Sequence, residues 1–287
     1  MAIEERVETP DGARLWTCVE GSGPPLVFCH GGPGLWDYLG DLAAMLSSDF
    51  TVYRWDQRAC GRSTAGSDSA TTRGTLDDLE VLRTHFGLDR WSVVGHSFGA
   101  ELALLYALLF PDRCERIAYV SGRGTPRWWR SVGRAMNRTN VERRMTADQI
   151  ERLSTLSALD ARDQNEEVEF RRLSWMTDFV HPEASEALDT MARTPFAINF
   201  AVNRALATDP VLDDEALEAA CAAAQVPTLV VHGTEDPRPL EGASQLAARI
   251  PTAAMTIVPG AGHLPWVEQP ESVRTALTGF LHQRSRT

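Results

Sequence analysis

The chain has 287 residues and carries 28 basic against 39 acidic side chains, a formal net charge of −11. All of the basic residues are arginine, and the absence of lysine excludes a Schiff-base lysine and the lysine of a GxxxxGK[ST] nucleotide loop. The acid excess argues against a nucleic-acid groove, and no apolar run has the length of a membrane span, so we expect neither partner.

Five scattered cysteines without a CxxC pair predict neither a disulfide framework nor a zinc ribbon. The charged N-terminal segment lacks the apolar stretch of a signal peptide. We therefore expect a cytoplasmic protein. HExxH is absent and the histidines show no metal-ligand spacing, so we expect no metal and no cofactor.

The first half of the chain alternates strand-like and helix-like segments. Residues 6–9 and 13–19 flank an Asp11-Gly12 turn and predict an opening hairpin. Buried strands follow at 25–29, 51–55, 91–94 and 117–120, and helices at 76–86 and 98–110. This alternation predicts an α/β fold with a mostly parallel central sheet covered by helices on both faces.

From about residue 124 to 209 the strand signals vanish and helical periodicity takes over. Helix starts are predicted at Thr146, at His181-Pro182-Glu183 and at Thr194-Pro195. Strand and helix patterns then resume at 228–232, 240–250, 254–258 and 271–283. We predict a core formed by residues 1–122 and 210–287, with residues 123–209 inserted as a helical cap.

The strongest local signal is Gly95-His96-Ser97-Phe98-Gly99, which matches GxSxG between a predicted strand and a predicted helix. A serine on such a tight turn presents its hydroxyl above the sheet, and glycine is needed where a Cβ would meet neighbouring backbone. We therefore predict Ser97 as the nucleophile. The alternative is a Gly-Ser turn that only packs the helix closely.

A serine nucleophile needs a base and an orienting carboxylate, which follow it along the chain as the acid and then the histidine. His263 lies in a glycine-rich loop after a predicted strand, and we predict it as the base. Both Glu235 and Asp236 follow the preceding strand. We predict Asp236 as the acid, with Pro237 stiffening the turn after it, and expect Glu235 to be exposed.

Acyl transfer also needs backbone N–H donors for the tetrahedral oxygen. One is predicted at Phe98, the residue after the nucleophile. The other is predicted at Gly32, in the loop His30-Gly31-Gly32-Pro33-Gly34. The competing interpretation of this loop is a phosphate cradle, which the absence of lysine and of GxGxxG disfavours.

Together these motifs resemble the α/β-hydrolase superfamily. The resemblance rests on HGGPG at 30–34, Asp56-Gln57-Arg58-Ala59-Cys60-Gly61-Arg62-Ser63, the elbow at 95–99, Gly233-x-x-Asp236 and Gly262-His263. More narrowly, they are similar to the proline iminopeptidase branch, which typically shows HGGPG and DQRGxGxS. The resemblance covers about residues 5–122 and 210–283, and it implies the hydrolase fold with a Ser-His-Asp triad.

The chain departs from these peptidases in two respects. Its elbow reads Gly-His-Ser-Phe-Gly, where the peptidases often have Gly-Gly-Ser-Trp-Gly. The peptidases also bind the free amine of the substrate through glutamates of the cap. Glu166, Glu167 and Glu169 cannot be matched to those glutamates position for position, so substrate-binding residues stay unassigned.

The predicted function is a serine hydrolase that forms an acyl-enzyme on a small molecule or short peptide. The leading reaction is proline iminopeptidase-like release of an N-terminal residue from a small peptide or amide. The same residues are compatible with an esterase, a thioesterase, a lactonase or an acyl-transfer enzyme acting on a small metabolite. A hydrolase-shaped receptor without turnover is the alternative from another class.

Overall fold

The structure, a computed structural model, describes residues 2–67 and 70–283. Its strands are β1 Ile3–Glu8, β2 Arg14–Gly21, β3 Pro25–Cys29, β4 Thr51–Trp55, β5 Trp91–His96, β6 Cys114–Val120, β7 Thr228–Gly233 and β8 Ala253–Val258. They form one sheet in the order β1-β2-β4-β3-β5-β6-β7-β8. Strand β2 is antiparallel to both of its neighbours, and the other adjacent strands pair in parallel. The predicted fold class is confirmed.

The helices flank and extend this sheet. In chain order they are α1 Gly40–Leu46, α2 Thr72–His85, α3 Phe98–Leu109, α4 Pro126–Trp128, α5 Arg134–Arg143, α6 Ala147–Ser157, α7 Gln164–Trp175, α8 Glu186–Arg193, α9 Phe200–Ala207, α10 Asp214–Ala222, α11 Leu240–Arg249, α12 Pro265–Glu268 and α13 Pro270–Leu281. A π-helical turn, Trp129–Gly133, joins α4 to α5.

The sheet is buried on both faces, as strand β3 illustrates. Val27 and Cys29 pack into one apolar layer with α2 and α3, and Leu26 and Phe28 pack into the other with α1 and α13. Because side chains alternate between the faces of a strand, a strand covered on both sides has to be apolar throughout. This is why the short run at 25–29 predicts its strand to the residue.

Residues 121–227, all of which the structure describes, contain helices and connecting turns but no strand. Helix α6 begins as predicted, since Thr146 caps it with a capping box. The helix start predicted at Thr194-Pro195 is wrong. The proline restricts Thr194 to an extended conformation, and α9 begins only at Phe200, where the Asn199 side chain accepts from the backbone N–H of Val202.

The parallel register brings the candidate site residues to one edge of the sheet. Cys29 of β3 lies beside Gly95 of β5, and His96 at the end of β5 lies beside Val120 of β6. Beyond β3 the chain moves first to β4 and then to β5 on the opposite side, so the strand order reverses between β3 and β5. Ligands of open α/β sheets bind in the crevice at such a switch point.

Candidate active site

Ser97 occupies the tight turn between β5 and α3. Its backbone φ of 58° and ψ of −117° lie in a region that non-glycine residues rarely adopt. A Cβ at Gly95 would overlap the carbonyl oxygen of Gly99, and one at Gly99 would overlap the carbonyl oxygen of Cys29. The Ser97 amide anchors the turn by donating to the Val120 carbonyl oxygen at 2.9 Å. Backbone strain at a half-buried serine that lines a cavity marks Ser97 as a candidate nucleophile.

Asp236 and His263 form a buried pair at the same edge. Nδ1 of His263 donates to Oδ2 of Asp236 at 2.8 Å, and both side chains are almost fully buried. Oδ1 of Asp236 accepts the backbone N–H of Arg238 at 2.9 Å, so both carboxylate oxygens are hydrogen bonded. Glu235 is exposed, as expected.

Neighbouring side chains stabilise the charged form of Asp236. Burial opposes ionisation, but His263, His232 and Arg238 outweigh it and hold the pKa of Asp236 below its ordinary value. Nε2 of His232 lies 3.7 Å from Oδ2 of Asp236. The carboxylate therefore keeps the proton of His263 on Nδ1, which leaves Nε2 as the basic nitrogen.

His263 meets the Ser97 turn through the residue that precedes the serine. The imidazole rings of His96 and His263 lie 4.6 Å apart between centroids. The His263 amide donates to the carbonyl oxygen of Asp178 at 2.7 Å. Within residues 2–67 and 70–283, no hydrogen bond joins the Ser97 hydroxyl to the His263 ring. Such catalytic hydrogen bonds are often long in free enzymes and tighten when substrate binds.

A chain of hydrogen bonds links the loop at 30–34 to the histidine. The hydroxyl of Tyr38 accepts the N–H of Gly31 at 3.0 Å and donates to Nδ1 of His96 at 2.6 Å. Nε2 of His96 consequently carries the proton and donates to the carbonyl oxygen of His263 at 2.8 Å. Burial and the nearby His263 hold the pKa of His96 well below its ordinary value. His96 is therefore neutral and connects the two loops.

His30 is buried beneath the glycine-rich loop. Its Nδ1 donates to the carbonyl oxygen of Gly31 at 2.8 Å, and its Nε2 accepts the backbone N–H of Gln57 at 3.1 Å. Asp56 accepts the backbone N–H of Arg62 at 2.7 Å, so the motif at 56–63 folds on itself. These residues support the loop and do not face Ser97.

The two predicted oxyanion donors lie on different segments, Gly32 in the loop at 30–34 and Phe98 at the start of α3. Phe98 is the first residue of α3, where the N–H has no acceptor within the helix. Gly32 has a φ of 132° that favours glycine, and it is exposed. Gly32, Ser97 and Phe98 all line one cavity of about 190 Å³. The structure therefore brings these three residues together.

Asparagines at the start of α9 fasten this loop. The Asn199 amide donates to the carbonyl oxygen of Gly34 at 2.8 Å, and Nδ2 of Asn203 donates to the carbonyl oxygen of Pro33 at 2.8 Å. A Cβ at Gly34 would overlap the carbonyl oxygen of Asn199. The helical segment and the loop are thus in direct contact.

Five polar residues that the sequence interpretation missed line the Ser97 cavity: Glu101, Ser121, Arg123, Asn137 and Arg238. Ser121 and Arg123 follow the end of β6, and Arg238 lies two residues after Asp236. Their positions after neighbouring parallel strands were a usable signal. Most arginines lie on the protein surface, so an arginine in the sequence does not by itself indicate a residue that lines a cavity.

A second cavity, of about 360 Å³, adjoins the first. Phe98, Glu101, Arg123 and Trp129 line both cavities, and leucines of α3 and α9 line the second. Trp129 begins the π-helical turn, a feature that is frequent at functional sites. An apolar substituent could occupy this space next to a group bound at Ser97.

The glutamates of the helical segment are engaged elsewhere. Glu166 accepts the backbone N–H of Asp163 at 2.9 Å in the capping box of α7. Glu167 and Glu169 form ion pairs with arginines of the same segment. None of the three lines the Ser97 cavity.

Other features of the described chain lie outside this site. A cavity of about 910 Å³ is lined by residues such as Asp37, Phe179 and Trp266, and by none of the predicted site residues. Among the described residues, no group of three or more His, Cys, Asp or Glu side chains could hold a metal ion. No helix in residues 2–67 and 70–283 is long and apolar enough to cross a membrane.

Known proteins share this architecture. Residues 24–270 match the family model described as alpha/beta hydrolase fold. A proline iminopeptidase of Xanthomonas citri is 30% identical over 284 residues, which cover 89% of this chain and 88% of that protein.

Two solved structures superpose on nearly the whole chain. The proline iminopeptidase of Mycobacterium smegmatis has a TM-score of 0.74 at 21% identity and covers 98% of each chain. A thermophilic esterase from Thermogutta terrifontis has a TM-score of 0.71 at 23% identity, covering 97% of this chain and 98% of its own. At these identities the two likenesses concern the fold.

Proposed function

The chain belongs to the α/β-hydrolase fold family and is a hydrolase, and from this membership we propose that it cleaves acyl bonds with Ser97 as nucleophile. His263 acts as general base and acid, Asp236 orients it, and the amides of Phe98 and Gly32 bind the oxyanion. The observation that supports the proposal is the buried Asp236–His263 pair with its 2.8 Å hydrogen bond, whose histidine ring lies 4.6 Å from the ring of His96, the residue before the strained Ser97.

In the proposed reaction, Oγ of Ser97 forms a bond to the acyl carbon while Nε2 of His263 takes its proton. The tetrahedral oxygen receives hydrogen bonds from the two backbone amides, each worth about 3–4 kcal/mol in comparable sites. The intermediate collapses as the bond to the leaving group breaks and His263 returns the proton to it. Water, deprotonated by His263, then releases the acid and restores Ser97.

The proposed role of Asp236 is electrostatic. Its carboxylate is buried beside His263, so its charge is weakly screened when the imidazole becomes protonated during attack. His263 and His232, followed by Arg238 at 3.8 Å from Oδ1, outweigh the effect of burial and hold the pKa of Asp236 below its ordinary value, so the carboxylate is ionised at neutral pH. A carboxylate that stays ionised stabilises the imidazolium without accepting its proton.

For the reaction itself, we propose proline iminopeptidase-like release of an N-terminal residue from a small peptide or amide. The likeness to the Xanthomonas citri protein supports this proposal. We keep as further proposals the core of residues 1–122 and 210–287 with its helical cap at 123–209, and the cytoplasmic setting. The position of Ala207 and Trp129 in the Ser97 cavity supports the cap.

Labelling with a fluorescent fluorophosphonate tests the nucleophile, since this reagent requires an activated serine. We expect labelling of the natural protein and none of Ser97→Ala, with Ser92→Ala on the same strand as the matched control. Labelling that survives in Ser97→Ala would refute the assignment.

Turnover of prolyl arylamide beside p-nitrophenyl esters of short acids tests the substrate class. Release of the arylamine in a Ser97-dependent manner supports the peptidase reaction. Turnover confined to the esters would retire it and favour an esterase.

A further inference from the structure

Two guanidinium groups line the Ser97 cavity, those of Arg123 and Arg238, and they differ in how many of their N–H donors are hydrogen bonded. Arg123 gives Nε and one terminal nitrogen to the two oxygens of Glu101, the second at 3.0 Å. Arg238 gives a single terminal nitrogen to Oδ1 of Asp178. Because a guanidinium carries N–H donors on all three of its nitrogens, Arg238 keeps most of its donors free of these bonds.

Two buried polar atoms of the same cavity have no hydrogen-bond partner among the described residues. They are Oγ of Ser121 and Oδ1 of Asn137. Ser121 is 1% exposed, and its φ of 51° is in the left-handed region that serine rarely adopts. Leaving such an atom unpaired costs free energy, so a ligand that reaches it gains a hydrogen bond.

The carboxylates near the cavity are already occupied. Glu101 accepts from Arg123 with both oxygens, Asp178 pairs with Arg238, and Asp236 pairs with His263. Unused donors therefore outnumber unused acceptors around Ser97. A carboxylate, which only accepts hydrogen bonds, can therefore pair with Arg238 and with the Ser121 hydroxyl, whereas Oδ1 of Asn137 is an acceptor and needs a donor.

We propose that the substrate of this hydrolase carries a carboxylate, which Arg238, Arg123 and Ser121 bind while the scissile acyl group lies at Ser97. The position of the scissile acyl group at Ser97 rests on the function proposed above, whereas the carboxylate site does not. The substrate class is an ester or amide of a small acid with a second, free carboxylate. Such a substrate has no amine on its acyl group, so this class is an alternative to the iminopeptidase reaction proposed above and corresponds to the ester-hydrolase outcome of its test.

Three p-nitrophenyl esters of similar length test the proposal: the glutarate monoester, the neutral pentanoate and the cationic 4-trimethylammoniobutanoate. We expect kcat/KM to be about tenfold higher for the glutarate than for the pentanoate, as charged hydrogen bonds in related sites imply, and lowest for the cation. Similar Ser97-dependent rates for all three would overturn the carboxylate site and leave the proposed hydrolase intact.

Charge variants localise the effect. Arg238→Gln and Arg123→Gln should each bring the glutarate-to-pentanoate ratio of kcat/KM down by about tenfold, mainly through KM. Arg238→Lys should retain part of the preference. Arg152→Gln, an exposed arginine paired with Glu169, is the matched control and should leave the ratio unchanged. A ratio that is unchanged in the Gln variants would overturn the proposal.

Binding without turnover separates the inference from the proposed function. Calorimetric titration of Ser97→Ala with glutarate should show binding that Arg238→Gln in the same background weakens about tenfold. If no ester is hydrolysed but this binding is seen, the carboxylate site stands and the hydrolase mechanism fails. Absence of glutarate binding in Ser97→Ala would overturn the site.

Discussion

Replacing Tyr38 with phenylalanine removes one hydroxyl that joins two parts of the site. That hydroxyl accepts the N–H of Gly31 at 3.0 Å and donates to Nδ1 of His96 at 2.6 Å. Both partners are buried, so the variant leaves one donor and one acceptor without a partner. Each unpaired buried group costs about 1–3 kcal/mol.

We expect Tyr38→Phe to lower the free energy of unfolding by about 2–3 kcal/mol, the low end of the summed range, because Tyr38 is half-buried and water can reach part of the gap. Gly31 precedes Gly32, the proposed oxyanion donor, so we expect the loss of this anchor to displace the Gly32 amide as well. We expect kcat to fall about tenfold, less than the 10²–10³-fold that follows removal of an entire oxyanion donor.

Urea unfolding followed by tryptophan fluorescence measures the stability, with an unchanged m-value as the sign of the same unfolding reaction. Ester hydrolysis gives kcat. Tyr53→Phe is the matched control, because the hydroxyl of Tyr53 forms no hydrogen bond within the described residues, and its change should stay within about 0.5 kcal/mol. If Tyr38→Phe behaves like this control in both assays, the hydroxyl does not hold the loop.

Three further substitutions test the surrounding structure. The folded-state pKa of Asp236 is below its ordinary value, so its contribution to stability is present above about pH 4 and is lost as pH falls through the folded pKa. In urea titrations at several pH values, Asp236→Asn should therefore lose less unfolding free energy on acidification than the natural protein. Arg58→Met leaves the buried carboxylate of Asp78 unpaired and should cost about 3–5 kcal/mol in unfolding free energy. As the matched control, Arg73→Met replaces an exposed arginine of α2, the helix that carries Asp78, and should cost under about 0.5 kcal/mol. Gly99→Ala forces a Cβ into backbone and should lower the thermal midpoint and abolish fluorophosphonate labelling.

Each of these has a result that contradicts its reasoning. If Asp236→Asn loses as much unfolding free energy on acidification as the natural protein, a group other than Asp236 causes the loss. Equal costs for Arg58→Met and Arg73→Met would mean that burial of the pair does not matter. Normal labelling of Gly99→Ala would mean that the turn tolerates the added carbon.

The sequence predicts much of the fold because the core strands carry strong local signals. The run at 25–29 is apolar, the run at 51–55 is rich in β-branched and aromatic residues, and the structure places β3 and β4 at those residues. Helices α1 and α10 were not predicted, since α1 is short and α10 is rich in alanine, which weakens the hydrophobic pattern. The start predicted at Thr194-Pro195 is wrong because Thr194 is extended there, and α9 begins only at Phe200, after the Asn199 cap.

The site divides in the same way. Ser97, Asp236 and His263 follow strand ends in motifs that are legible along the chain, and the structure brings Asp236 and His263 into hydrogen-bond contact. Tyr38 and Ser121 gain their significance from residues far away in sequence, such as the contact of Tyr38 with His96. Such contacts depend on strand order and loop path, which no local pattern specifies.

Hydrogen bonds from Asn199 and Asn203 join the start of α9 to the loop that carries Gly32, so a movement of α9 is coupled to a movement of this loop. Lifting α9 away from Ser97 would break both fastenings and slacken the loop. In the proposed mechanism, movement of α9 away from the loop would weaken the binding of the oxyanion at Gly32, and its return would restore that binding. Entry of substrate and assembly of the proposed oxyanion site would then depend on the same movement of α9.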